Sequence, residues 1–333
     1  MSFERARTVV DALLWNGYVL YPYGAAGERS RSRWQLGVLA PPAWAESNGE
    51  ATWQETDCLV APGPGAKLDV RVRFLRVRSR HVEEIRGKHD FRRVQTLDLG
   101  ETLLTSWDEV TPHELDFALT ASPGERSWRI VLPAHREVER VRSAGVARAR
   151  IVREQSRVEL EVRVTVERVG ETEGLARVRL RLENRTSGGT FAGRPEALRV
   201  ALLGTHALLA LSSGEFVRTA AAECASVRTW PVLVGPKDRR DLLLSSPIAL
   251  PDHPEAGEPP PADRHDTGEL DEALLLRALT WTDDEKRAAR ATDPRYARIL
   301  EHIEPFRREL LAHVHGAVRS FGPPHRARPH RAR

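Results

Sequence analysis

The 333 residues suffice for two domains or one large one, and a composition 41% hydrophobic and 29% charged is ordinary globular usage that excludes wholesale disorder. The 51 Lys and Arg are interspersed with 47 Asp and Glu, leaving a net charge of +4, which argues against a nucleic-acid binder with its surplus on one face. No apolar run approaches the roughly 18 residues of a membrane-spanning helix, and the charged start MSFERARTVV is unlike a signal peptide, so the expected setting is cytoplasmic, without membrane insertion.

From residue 5 to about 15, Val9, Val10, Leu13 and Leu14 recur at helical spacing and Gly17 follows, which predicts a short amphipathic helix. Three of four tyrosines (Tyr18, Tyr21, Tyr23) and four of eight tryptophans (Trp15, Trp34, Trp44, Trp53) fall in the first 53 residues. Rigid aromatics bury much area at low entropic cost, so the cluster suits a binding surface as well as a core. Residues 1–60 are therefore expected to form an N-terminal helix and aromatic segment packed on the body.

A β-rich core is expected over 61–250. After the turn at Pro62–Gly65, Val70, Val72 and Phe74 alternate with arginines, and the alternation slips at Leu75 as at a bulge. Trp128, Ile130 and Leu132 alternate up to Pro133. The clearest pattern is Val158, Leu160, Val162, Val164 and Val166, followed across a turn by Ala176, Val178, Leu180 and Leu182, all interleaved with charges. It predicts an antiparallel hairpin with one buried face, with Glu167 able to sit opposite Arg177. The runs Ala201–Leu211 and Leu242–Leu250 read as buried strands, although the first is long enough for a helix. Between them Thr229–Gly235 reads as a strand that Pro231 places at an edge.

Residues 251–268 read as a linker or exposed loop. Helices are expected over 269–321, signalled by capping boxes at Asp266/Glu269 and Thr282/Glu285 and by Asp293-Pro294, and 322–333 as a disordered basic tail. The fold class expected is α+β, mainly β: an antiparallel β-sandwich-like core with a short N-terminal helix and a helical C-terminal segment.

No catalytic motif is readable. Gly63-Pro-Gly-Ala-Lys67 lacks the spacing of a phosphate-binding loop, and no serine sits in a nucleophile elbow. No H-E-x-x-H occurs among the 12 histidines. His81 and His89, His206 within an apolar run, and Cys224 are the candidate metal ligands, each with a plainer reading as an ordinary surface or core residue. Cys58 and Cys224, the only cysteines, belong to no C-x-x-C pair; they read as buried thiols, or as a pair that meets in space to bind metal or undergo oxidation. No cofactor is predicted.

Five stretches, Ala12–Tyr23, Arg33–Leu39, Thr229–Gly235, Leu243–Ile248 and Leu274–Asp293, occur in the order found in a bacterial family encoded beside NiFe-hydrogenase structural and maturation genes, which this chain resembles. The resemblance implies a cytoplasmic accessory or assembly protein whose partner is a hydrogenase subunit or maturation factor. It carries over no catalytic residue. On this reading Trp15, Tyr18, Tyr21, Tyr23, Trp34, Trp230 and Pro231 are the candidate partner-binding residues. The rival expectations are a metal-binding or metal-dependent enzyme of the same pathway and a nucleic-acid-binding protein that uses the basic tail.

Overall fold

The structure, a computed structural model, describes residues 3–7, 9–11, 13–14, 37–100, 102–143, 145–170, 174–217 and 224–254. Trp15, Tyr18, Tyr21, Tyr23 and Trp34, the C-terminal helices expected over 269–321 and the basic tail lie outside the described residues, as does the expected linker from 255 onward. The chain divides after Arg264, and all described residues belong to the first unit.

Among the described residues the fold is mainly β and antiparallel, with few helices. A 3-10 turn at Phe3–Ala6 runs into helical residues at 7, 9–11 and 13–14. The short helix α1 (Pro42–Asn48) leads into β1 (Trp53–Pro62) and the long β2 (Lys67–Ile85). Then come β3 (Phe91–Val94), β4 (Thr96–Asp98), β5 (Leu103–Thr105), β6 (Trp107–Thr120), β7 (Gly124–Leu132), β8 (His135–Ser143) and β9 (Val146–Gln155). The hairpin β10 (Val158–Arg168) and β11 (Ala176–Asn184) is followed by α2 (Arg194–Leu198), β12 (Leu203–Leu211), β13 (Gly214–Val217), β14 (Trp230–Leu233) and β15 (Leu242–Ser246).

Two sheets face each other. The smaller runs β13-β1-β11-β10-β7; the larger runs β14-β15-β12-β2-β9-β8, with β6 and β3 also paired to β2. Their inner faces interdigitate as in a sandwich. Val60, Val158, Leu160, Val162, Val164, Leu180 and Leu182 of the smaller sheet meet Leu68, Val70, Val72, Phe74, Ala207, Leu209 and Leu243 of the larger in one buried cluster. Asn184 ties this core to its rim. Fully buried at the end of β11, it donates to the carbonyls of Leu39 and Val200, both at 2.9 Å, and accepts from the Thr186 N–H.

The expected hairpin is present in its expected register, with Glu167 opposite Arg177. Glu167 forms its ion pair two residues along, however, with Arg179 at 3.1 Å. The strand over Val70–Phe74 is more extensive than its pattern indicates, because β2 continues to Ile85 and pairs with β6 without a break from Lys67 to Arg80. The slip at Leu75 is thus no bulge in β2. Leu75 and Val77 keep to the outer face, where the preceding outward residues are arginines, because Leu14, Leu198, Ala201 and Leu203 cover that face there. The bulge belongs to the facing strand β12, between Leu203 and His206. Beyond Ser79, β2 leaves the sandwich and carries β3, β8 and β9 around a separate small cluster of Val82, Leu104, Ala149 and Ile151.

Ala201–Leu211 resolves as a strand, β12, and Leu242–Leu250 as the shorter β15. Ser245 and Ser246 are buried strand residues: Ser245 bonds Thr56, which also bonds Thr229 at 3.0 Å, so three hydroxyls join the sheets at this rim. Residues 251–254 lie against β14, where the Asp252 carboxylate accepts from the Leu233 N–H (3.1 Å) and the His253 N–H donates to the Leu233 carbonyl (2.6 Å). No helix among the described residues is long and apolar enough to cross a membrane.

Candidate functional site

The outer face of the larger sheet changes chemistry across its width. On β14, β15 and β12 it presents Val232, Leu242, Leu244, Leu208 and Ala210; on β2 and β6 it presents Arg71, Arg73, Glu114 and Asp116. The N-terminal helical segment matches both halves. Ala6, Val10 and Leu13 are buried on the apolar half, and Asp11 reaches Arg73 at 2.5 Å on the charged half. Arg5 meets the Asp241 carboxylate with two bonds of 3.1 and 2.8 Å. Helical spacing places valine and leucine on one stripe and the charges beside it, so one short segment seats on both.

Arg73 is the centre of the charged half. Its guanidinium is nearly buried and lies between Asp11 and Glu114, the latter at 2.7 Å. Beside it Arg71 takes Asp116 in a fork of 2.7 and 2.8 Å, which raises the arginine and lowers the carboxyl from their usual ranges. Two-bond pairs of this kind fix geometry as well as charge. The Arg71 guanidinium also stands 4.9 Å from the Phe3 ring centre. A cleft of about 110 Å³ separates the segment from the sheet, lined by Phe3, Arg7, Val10, Arg71, Arg73 and Glu114.

His206 faces Arg73 across the β12–β2 ladder and is completely buried. Its Nδ1 donates to the Gly204 carbonyl at 2.7 Å, which leaves Nε2 as the bare nitrogen, buried and with no hydrogen-bond partner among the described residues. Burial, reinforced by the Arg73 charge against the weaker pull of the Gly204 bond, pushes the imidazole down to about 4. It is neutral at neutral pH. The β12 bulge creates this placement: Gly204 has φ 59°, and Gly37 (φ 55°) packs so closely on Thr205 that an added Cβ would lie 2.8 Å from its carbonyl oxygen. Only glycine fits at Gly37.

The four candidate metal ligands are placed apart. His81, half-buried on β2 opposite Val152, is eight residues from Arg73, roughly 26 Å of extended strand. Burial and then the Arg93 and Arg199 charges lower its imidazole. His89 is exposed in the turn between β2 and β3, and Cys224 lies beside β1 of the other sheet. Among the described residues no three His, Cys, Asp or Glu side chains form a group able to hold a metal ion.

Of the candidate partner-binding residues, Trp230 and Pro231 are described. β14 is an edge strand, so the missing N–H of Pro231 leaves no ladder bond unmade in the centre of the sheet. Pro231 and Leu233 turn inward and Trp230 and Val232 outward; Trp230 is 47% exposed. The chain enters β14 through Arg228, which holds φ 60°, a left-handed conformation costing about 1 kcal/mol for a residue with a Cβ. Two contacts with Trp53 hold it there: Nη1 donates to the Trp53 carbonyl at 3.1 Å, and the guanidinium lies 5.1 Å from the ring centre. Thr229 adds a bond to the Glu55 carbonyl at 2.9 Å. Trp230 is therefore an exposed side chain on a fixed backbone.

Sequence reasoning passed over Asp11, Arg71, Arg73, Glu114 and Asp116. The arginines were visible only as the polar half of an alternating strand, and their carboxylate partners lie far away in sequence. No protein-family model and no curated protein matches the chain. Among solved structures, the Salmonella SPI-1 type III secretion injectisome secretin InvG in its open gate state aligns with 73% of this chain and 70% of its own, at 7% identity and a TM-score of 0.14, a likeness that carries no argument.

Proposed function

We propose that this chain is a non-catalytic accessory or assembly protein for a NiFe-hydrogenase, acting in the cytoplasm through contacts with a hydrogenase subunit or maturation factor. The observation that carries the contact reading is Trp230: a tryptophan 47% exposed at the start of an edge strand, on backbone that Arg228 and Thr229 hold in place. Tryptophan dominates binding hot spots because it buries a large rigid surface with little entropy to lose. The resemblance of Thr229–Gly235 and the other four stretches to the hydrogenase-linked family supports the pathway. The arginines and carboxylates of the outer face pair with one another and fasten the N-terminal segment, a structural task in keeping with this reading.

The test is Trp230→Ala measured for binding to purified hydrogenase subunits and maturation factors. An exposed side chain contributes little to folding, so the variant should unfold within about 0.5 kcal/mol of the parent. Its affinity for the partner should fall tenfold or more, the loss of a modest hot spot. Unchanged affinity in the variant, or no binding of the parent to any of these proteins, would overturn the reading.

A further inference from the structure

We propose that Cys58 and Cys224 form a redox-modification site, a cross-strand dithiol that closes to an intramolecular disulfide within the folded chain. The two cysteines are 166 positions apart in sequence and both are present as thiols. What unites them is the short segment before β14, which runs antiparallel beside β1. Glu55 and Val227 exchange both backbone bonds, at 3.0 and 2.8 Å. Side chains carry the register onward: the Asp57 N–H donates to Ser226 Oγ at 3.0 Å, and the Ala225 N–H to Asp57 Oδ2 at 3.1 Å. Three residues along β1 from Glu55 stands Cys58, and three residues back from Val227 stands Cys224.

Past the isolated Glu55–Val227 bridge the backbone ladder gives way to a side-chain clasp: Ser226 Oγ serves both the N–H and the carbonyl of Asp57, and the Asp57 carboxylate takes the Ala225 N–H, so each cysteine is the next residue beyond one side of the clasp. A disulfide closes over Cα separations of about 4.4 to 6.8 Å. Cys58 is buried and directs its thiol to the Val178 carbonyl at 3.7 Å, while Cys224 is only half-buried. Burial first, then the charges of Cys224 and Asp57, push the Cys58 thiol far up.

The accessible partner reacts first. The Cys224 thiolate attacks a low-molecular-weight disulfide such as glutathione disulfide, breaking its S–S bond and releasing one glutathione thiolate. The Cys58 thiol then gives its proton to solvent, and its sulfur displaces the second glutathione from Cys224. Two protein thiols are oxidised and one glutathione disulfide is reduced to two glutathiones. Burial of Cys58 makes the second step the slow one.

The experiment incubates the full chain, folded, with glutathione disulfide, quenches with acid, alkylates remaining thiols and maps the peptides by mass spectrometry. The expected product is a linked pair of peptides containing Cys58 and Cys224, formed at least tenfold more than links between chains. Cys224→Ser should leave Cys58 as a thiol, and Cys58→Ser should stop at glutathione on Cys224. If Cys58→Ser does not fold, the wild-type map decides alone. A wild-type reaction that stops at glutathionylated Cys224, or that links the two cysteines only in urea, would overturn the site.

Discussion

His206 is neutral and buried, and its cost emerges in acid. In the unfolded chain an ordinary histidine takes its proton near pH 6.5, whereas in the fold burial holds His206 down to about 4. Above pH 6.5 both states are neutral and the residue adds no pH dependence. Between pH 6.5 and 4 the unfolded chain binds the extra proton, so stability falls as pH falls through that window. At pH 4.5 the loss is on the order of 2 kcal/mol. Urea unfolding at pH 7 and 4.5 should show wild type losing about that much more than His206→Gln over the interval, whatever the variant's stability at pH 7. Equal losses would mean that His206 is reachable by protons in the fold. Trp230 is the opposite case, an apolar side chain that folding leaves in water, so its substitution should register in binding and hardly in stability.

At the scale of elements, the most legible parts of the sequence were those with one dry and one wet face. The β10–β11 hairpin alternates because its inner valines and leucines meet the core while its outer arginines and glutamates stay solvated. Those outer pairs add little: Glu167 and Arg179 keep 49% and 33% of their side chains exposed, and such pairs are worth less than about 1 kcal/mol. Glu167→Gln should therefore shift the urea midpoint by the equivalent of no more than about 0.5 kcal/mol; a loss several times larger would show that the ladder of charges acts as a connected network. β12 was ambiguous for the converse reason. Leu209 and Leu211 pack between the sheets while Leu208 and Ala210 lie under the N-terminal segment, so both faces are dry and alternation vanishes. The edge strand β8 left no apolar signal, because its residues are largely charged and exposed. Pro231 was legible as an edge marker from its missing N–H alone, but that Trp230 is exposed depends on which neighbours cover the outer face, which local pattern does not encode.

Across the described residues, charge that looks like an even scatter in the sequence is ordered in the fold into pairs along and across the strands. On the smaller sheet Arg179 and Arg185 reach across to Glu167 and Glu161 while Arg163 pairs with Glu161 along its own strand, and on the larger Arg71 and Arg73 pair with Asp116 and Glu114 of β6 and with Asp11 of the N-terminal segment. Pairing of this kind neutralises the sheet faces locally and leaves an apolar side chain such as Trp230 as the more distinctive feature for a partner to read. It also explains why composition pointed away from a cationic surface while saying nothing of where contact occurs. The proposed hydrogenase role makes one demand on the intact chain. Affinity capture with the full-length protein, from its native host grown with and without NiFe-hydrogenase expression, should be followed by identification of bound proteins and elemental analysis. The account predicts a hydrogenase subunit or maturation factor, recovered only under expressing conditions, with no stoichiometric metal on the captured chain. Stoichiometric nickel, iron or zinc without such a partner would contradict it and shift the reading to a metal-dependent enzyme.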